Sequence, residues 1–193
     1  MSRYEIRLSG SGGQGLILAG LILAEAAALY DGRNAIQSQS YGPESRGGAS
    51  SSVVIISDEE IDYPKATRVD VLLALTQEAV NKYAKSIKEG GILIVDEAIK
   101  EVPEGEYKIF RLPIINTAKT KIGRAVVANI VALGVIIGIT GIVSVDSVKK
   151  ALFSRVPRGT EELNFRALEA GVELTKDISR EVQSMPSAPA NQP

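Results

Sequence analysis

Residues 3–30 read RYEIRLSGSGGQGLILAGLILAEAAALY, and this stretch decides the fold. Tyr4 to Leu8 alternate in polarity, as a strand does when its two faces meet different surroundings. The alternation gives way to Ser9-Gly10, then to Gly12-Gly13-Gln14-Gly15. Leu16 to Tyr30 is dense in Leu and Ala, both strong helix formers, and Asp31-Gly32 ends the run. A strand that passes through glycines into a helix opens an α/β domain. The glycines permit a tight turn without a Cβ in the way. The first amides of the helix, with their partial positive charge, are then open to an anion.

The rest of the chain continues the alternation. Asn34 to Ser40 and Ala49 to Ser57 read as strands, and Asp58 to Arg68 as a polar connection holding Pro64. Val69 to Leu75 is an almost unbroken apolar run, the mark of a strand covered on both faces. Gln77 to Lys88 reads as an amphipathic helix ended by Gly90-Gly91. Ile92 to Val95 is a second doubly covered strand, ending at Asp96, and Tyr107 to Leu112 is the next. Thr117 to about Ile139 reads as one long apolar helix. Ser144 and Asp146 are placed to cap a helix that runs to about Arg155. Thr160 to about Val182 reads as a charged helix. The expected fold is a single three-layer α/β/α domain over residues 1–183. Its sheet is mostly parallel and its glycine-rich first turn Rossmann-like. Residues 184–193, rich in Pro, Ser, Ala and Asn, read as a disordered tail.

Composition narrows the chemistry. The chain has 193 residues and a net charge of −1, so it lacks the basic excess of a nucleic-acid binder. It contains no Cys and no His. That removes disulfides, thiolate nucleophiles, iron–sulfur ligation, the usual triads and the commonest metal ligands. No catalytic or metal-ligating residue is assigned, and a binding or accessory role leads. The N-terminus has no apolar signal core, so the expected location is cytoplasmic. Ala125 to Val145 is uncharged and long enough to span a bilayer. Without flanking anchors it reads as a buried or interface helix, not a membrane span. Such a helix needs cover on several sides, and a partner subunit is the expected source.

Two loops carry the candidate site. Gly10-x-Gly12-x-x-Gly15 has the spacing of the dinucleotide fingerprint in the right strand-to-helix context. The acid that would hold the ribose is missing, because the second strand ends in Gln39-Ser40-Tyr41. The second loop, Tyr41-Gly42-Pro43-Glu44-Ser45-Arg46-Gly47-Gly48, follows that strand. In a parallel arrangement it falls on the same edge as the glycine turn. Arg46 can grip a phosphate or carboxylate bidentately, and Tyr41 can stack on a base. Three readings stand on the residues alone: part of an enzyme complex, a stand-alone nucleotide- or flavin-binding oxidoreductase, or a structural interaction subunit whose glycines serve packing.

The two glycine loops together resemble the gamma subunit of 2-oxoacid:ferredoxin oxidoreductases. The likeness continues through Ser57-Asp58-Glu59-Glu60-Ile61, Pro64, Val69-Asp70 and Asn129-x-Val131-Ala132-Leu133-Gly134, covering residues 3 to about 175. It implies a subunit of a complex that converts a 2-oxoacid and coenzyme A to acyl-CoA and CO2, with electrons passed to ferredoxin. Thiamine diphosphate and iron–sulfur clusters would lie on partner subunits, the alpha and beta chains, with a delta chain as a further candidate. The resemblance assigns Gly10, Gly12, Gly13, Gln14, Gly15, Tyr41 and Arg46 to coenzyme A or to a shared active-site wall. The stand-alone gamma chain and Asn116-Thr117-Ala118 favour 2-oxoglutarate. Branched-chain 2-oxoacids and pyruvate follow, and indolepyruvate oxidoreductases have a related subunit. Asp96, Asn116 and Asn129 are further ligand candidates, each with a structural role as the competing reading. Lys119, Lys121 and Arg124 read as a solvated basic group able to steer an anion.

Overall fold

The computed structural model describes residues 3–40, 49–176 and 178. Six strands form one sheet: β1 (Arg3–Ser11), β2 (Asn34–Ser40), β3 (Ala49–Ser57), β4 (Val69–Ala74), β5 (Ile87–Asp96) and β6 (Lys108–Leu112). Their order across the sheet is β2-β3-β1-β4-β5-β6. β1, β4, β5 and β6 are mutually parallel. β3 runs antiparallel to both β1 and β2, so β2 points the same way as β1. The sheet is therefore mostly parallel, with β3 as the reversed strand. The carboxyl end of β2 and the start of β3 consequently share the edge where β1 ends.

The helices are α1 (Leu16–Glu25), α2 (Gln77–Tyr83), α3 (Ile114–Thr117), α4 (Ala128–Thr140), α5 (Val145–Arg155) and α6 (Glu161–Glu173). The main core joins α1, α3, α4, α5 and α6 to one face of the sheet. A smaller core joins α2 to the other face through Val69, Leu72, Ala74, Leu93 and Val95. The two apolar runs read from sequence are covered on both faces, as their composition requires: Val71, Leu73 and Ile94 enter the main core.

The charged helix read to about Val182 ends as α6 at Glu173, where residues 174 and 175 form a turn, and the tail at 184–193 lies outside the described residues. Two elements differ from their sequence reading. The helix read over 77–88 gives way after Ser86, and β5 begins at Ile87. Ile87 is buried and pairs with Val69, and the irregularity that follows is absorbed where Gly90 takes φ 73. The apolar run from Thr117 is not one helix either. Gly123 adopts φ 83 and Arg124 is extended, so the chain breaks before α4. Gly141, at φ 59, closes α4 after thirteen residues. Among the described residues no helix is long and apolar enough to cross a membrane.

The structure also corrects where the cover for α4 comes from. Every residue from Ala128 to Ile137 is buried within this chain. The cover includes α6, which lies against α4 where Gly134 meets Gly171. A Cβ on Gly134 would overlap the Leu168 carbonyl oxygen, and one on Gly171 the Val131 carbonyl oxygen. The backbones approach so closely because neither position carries a side chain, so the apolarity of α4 does not by itself require a second subunit. Within a helix, Gly→Ala ordinarily stabilises by up to about 1 kcal/mol. Here the sign reverses: Gly171→Ala should destabilise by about 1–3 kcal/mol through overpacking, read as a lower urea midpoint at unchanged m-value.

Candidate functional site

The glycine turn lies at the carboxyl end of β1. Gly10 and Ser11 are still in the sheet, paired with Ser50 and Ala49. The turn is braced from within: Gln14 Oε1 accepts from the Ser11 amide at 2.8 Å, and the Gln14 amide donates to the Ser11 carbonyl at 3.3 Å. Gly13 and Gly15 have φ 86 and 72, a region L side chains rarely adopt. Gly15 is the N-cap of α1, which therefore has no side-chain cap, and no acid occupies its first turn.

A second helix starts at the same place. Asn129, in the first turn of α4, donates from Nδ2 to the Gly15 carbonyl at 3.0 Å. α4 likewise lacks a side-chain cap and an acid in its first turn. Two helix N-termini thus converge, each with its partial positive charge. The first amides of α1 have no side-chain cap, whereas the Val127 and Ala128 amides leading into α4 donate to the Arg124 and Ala125 carbonyls. Leading into α4, Arg124 is exposed and Val126 is 75 % exposed, which leaves a cation and an apolar side chain on the turn before that N-terminus.

The glycines of the turn are present for different reasons. A Cβ on Gly10 would overlap Gln14 Oε1, and one on Gly15 would lie 2.6 Å from Asn129 Nδ2. Gly13 is fixed by its φ. Gly12 has none of these reasons. Its φ is not positive, and a Cβ there meets no described residue within 4 Å. It is the only described glycine with neither constraint. The described part of the fold leaves this position free to be any small residue.

The other candidates sort by contact. Asp96 is almost fully buried at the end of β5, and its carboxylate accepts from the amides of Ala98 at 3.0 Å and Ile115 at 2.8 Å. It fastens the strand end to α3, and its oxygens are committed to backbone. Asn129 is a satisfied buried amide that braces the turn. Asp70 accepts from the Glu5 amide and from Lys88 Nζ at the opposite edge, away from the turn. The basic group divides: Lys121 borders a cleft with Glu169 and Glu173 of α6, whereas Arg124 stays with the start of α4. Tyr41 and Arg46 lie outside the described residues. The strand register nevertheless brings both ends of their segment to the turn, since Ala49 pairs with Ser11 and Ser40 pairs with Ser51, which pairs with Ser9. The convergence of α1 with α4 escaped the sequence reading, because the break at Gly123 that frees the N-terminus of α4 was hidden inside an apolar run.

A family model described as pyruvate ferredoxin/flavodoxin oxidoreductase matches residues 5–174. The chain belongs to this family. A relative named 2-oxoglutarate synthase subunit KorC, from Methanocaldococcus jannaschii, is 51% identical over 179 residues, covering 91% of this chain and 96% of that one. The crystal structure of the gamma subunit of a keto/oxoacid ferredoxin oxidoreductase from Geobacter sulfurreducens superposes with a TM-score of 0.84 at 56% identity, over 90% of this chain and 97% of that chain. A 2-oxoglutarate:ferredoxin oxidoreductase from Magnetococcus marinus, with 2-oxoglutarate, coenzyme A and succinyl-CoA bound, superposes with a TM-score of 0.81 at 26% identity; the match covers 92% of this chain and 32% of that chain.

The contrast between the two glycines is directly measurable. Gly15→Ala should lose about 1–2 kcal/mol or more for its left-handed backbone, plus the clash with Asn129. Gly12→Ala should leave stability unchanged or raise it by up to about 1 kcal/mol, because it narrows the unfolded ensemble. Urea denaturation of both variants beside wild type decides the point.

Proposed function

We propose that this chain is the gamma-type subunit of a 2-oxoglutarate:ferredoxin oxidoreductase, and that its glycine turn receives the phosphate-bearing part of coenzyme A. The observation that carries the proposal is Gly12: an exposed glycine that no described residue requires, at the point where two helix N-termini without side-chain caps converge. A position kept free of a Cβ without internal cause suits close approach by something outside the chain. The first amides of α1, which no side chain caps, favour an anion, and the diphosphate of coenzyme A is a matching ligand. The substrate assignment is supported by the 51% identity to a chain named 2-oxoglutarate synthase subunit.

The division of labour follows from composition. With no His and no Cys, this chain supplies no imidazole base and no cluster ligand. Among the described residues no group of three or more acids is placed to hold a metal. Thiamine diphosphate, which provides carbanion stabilisation, and the iron–sulfur clusters are assigned to the alpha and beta partners, and ferredoxin to the assembled complex. Binding is the role left to this chain: it orients the coenzyme's phosphates through backbone amides held rigid by Gln14 and Asn129. Arg46 and Tyr41, in the segment between β2 and β3, are proposed to contact the same ligand.

The test uses the assembled complex with a viologen acceptor. Gly12→Ala should raise KM for coenzyme A about tenfold or more, a loss of ~1.4 kcal/mol, at unchanged KM for the 2-oxoacid. An unchanged coenzyme A KM would remove the turn from the coenzyme site. A panel of 2-oxoacids on the wild-type complex should give the highest kcat/KM with 2-oxoglutarate, and preference for pyruvate or a branched-chain 2-oxoacid would overturn the substrate assignment.

A further inference from the structure

The second face of the sheet holds a feature that the coenzyme reading does not use. Of the described helices only α2 packs there. Beside it β1 turns Glu5, Arg7 and Ser9 to that face, since Ile6 and Leu8 enter the main core. Arg7 lies mid-strand, paired with Val53 on one side and Leu72 on the other. A charged side chain at the centre of a sheet is costly unless it is matched.

Arg7 is poorly matched. Its guanidinium sits over the Tyr83 ring at 4.5 Å from the centroid. Nη1 donates to Ser86 Oγ and Nη2 to the Ala66 carbonyl, both at a long 3.3 Å. Nε is buried with no acceptor, and it is the only such side-chain atom among the described residues. Glu5, the nearest acid along the strand, is committed to Arg3 at 2.5 Å and Lys88 at 3.4 Å. Burial lowers the Arg7 pKa from its usual value, with Tyr83 and Glu5 partly opposing.

Arg7 borders an open cleft of ≈ 300 Å³. Lys65 adds a second cation, and Ser38, Ser51, Thr67 and Tyr83 add hydroxyls. No carboxylate is among the described residues that line it. Those residues therefore offer the cleft cationic and hydroxyl donors.

We infer that this cleft is a second oxyanion site, distinct from the glycine turn, which takes one phosphate or carboxylate group. The Arg7 guanidinium supplies a fixed positive charge, and Lys65 with the hydroxyls completes the shell. Arg suits such a role because its planar fork presents several donors at once. The ligand has two possible sources. One is a free small anion. The other is a phosphate of a larger ligand that crosses the adjoining edge, because Ser51 of the cleft pairs with Ser9, next to Gly10.

The inference does not depend on the coenzyme reading, and the experiment separates the two. The full chain is labelled with 15N-arginine, and the Arg7 Nε–H resonance is identified by its disappearance in Arg7→Lys. Inorganic phosphate is titrated against sodium chloride of matched ionic strength. A saturable shift of the Arg7 resonance in phosphate alone is expected, with the midpoint raised severalfold in Lys65→Gln, an exposed substitution that leaves the core intact. Coenzyme A and dephospho-coenzyme A follow. Saturation by coenzyme A but not by its dephospho form assigns the site to the 3′-phosphate. Saturation by free phosphate alone assigns it to a separate small anion. No shift in any arm, or equal shifts in phosphate and chloride, would overturn the inference whatever the glycine turn binds.

Discussion

The hydrogen bond from Asn129 Nδ2 to the carbonyl of Gly15 ties the surface turn to the buried centre of the molecule. It joins the start of α1 to the start of α4 across more than a hundred residues of sequence. α4 is immobilised in turn, enclosed from Ala128 to Ile137 and held against α6 where two glycines let the backbones touch. The turn therefore inherits its geometry from the core. A flexible glycine loop would have to be ordered by its ligand at an entropic cost. This one is already fixed, by Asn129 from below and by Gln14 from within.

That rigidity suits the binding role proposed above. The chain has no His, the commonest general base, and no Cys to hold an iron–sulfur cluster. What it offers is a positioned electrostatic surface made almost entirely of backbone. Helix N-termini are suited to this task because their amides need no titration and no rotamer search.

Much of the fold was legible in the sequence, and for identifiable reasons. The glycine turn, both doubly covered strands and the Ser144 cap follow from local periodicity and capping chemistry, and Ser144 Oγ does accept from the Ser147 amide. The parts misread lie where one residue overrides a run. Gly123 breaks an apolar stretch that reads as one helix, and Gly90 lets β5 start before the glycines expected to precede it. The cover of α4 was illegible because helix–helix contact through Gly134 and Gly171 is tertiary. Within the site, the glycines were visible as a motif, but only the three-dimensional surroundings separate Gly12 from Gly10, Gly13 and Gly15. Arg7 gave a faint signal, a charge in the middle of the strand leading to the motif. It gains meaning only once β1 is seen at the centre of the sheet with Glu5 already engaged.

Under the proposed function, the backbone between Gly12 and the first turn of α1 contacts coenzyme A in the assembled enzyme. Hydrogen exchange of the intact complex, followed by mass spectrometry of peptides spanning 10–20 and 124–131 with and without coenzyme A, tests it at the amides themselves. Slowed exchange in both segments on addition of coenzyme A is the predicted result. Protection confined to other parts of the complex, with these two segments unchanged, would contradict the account.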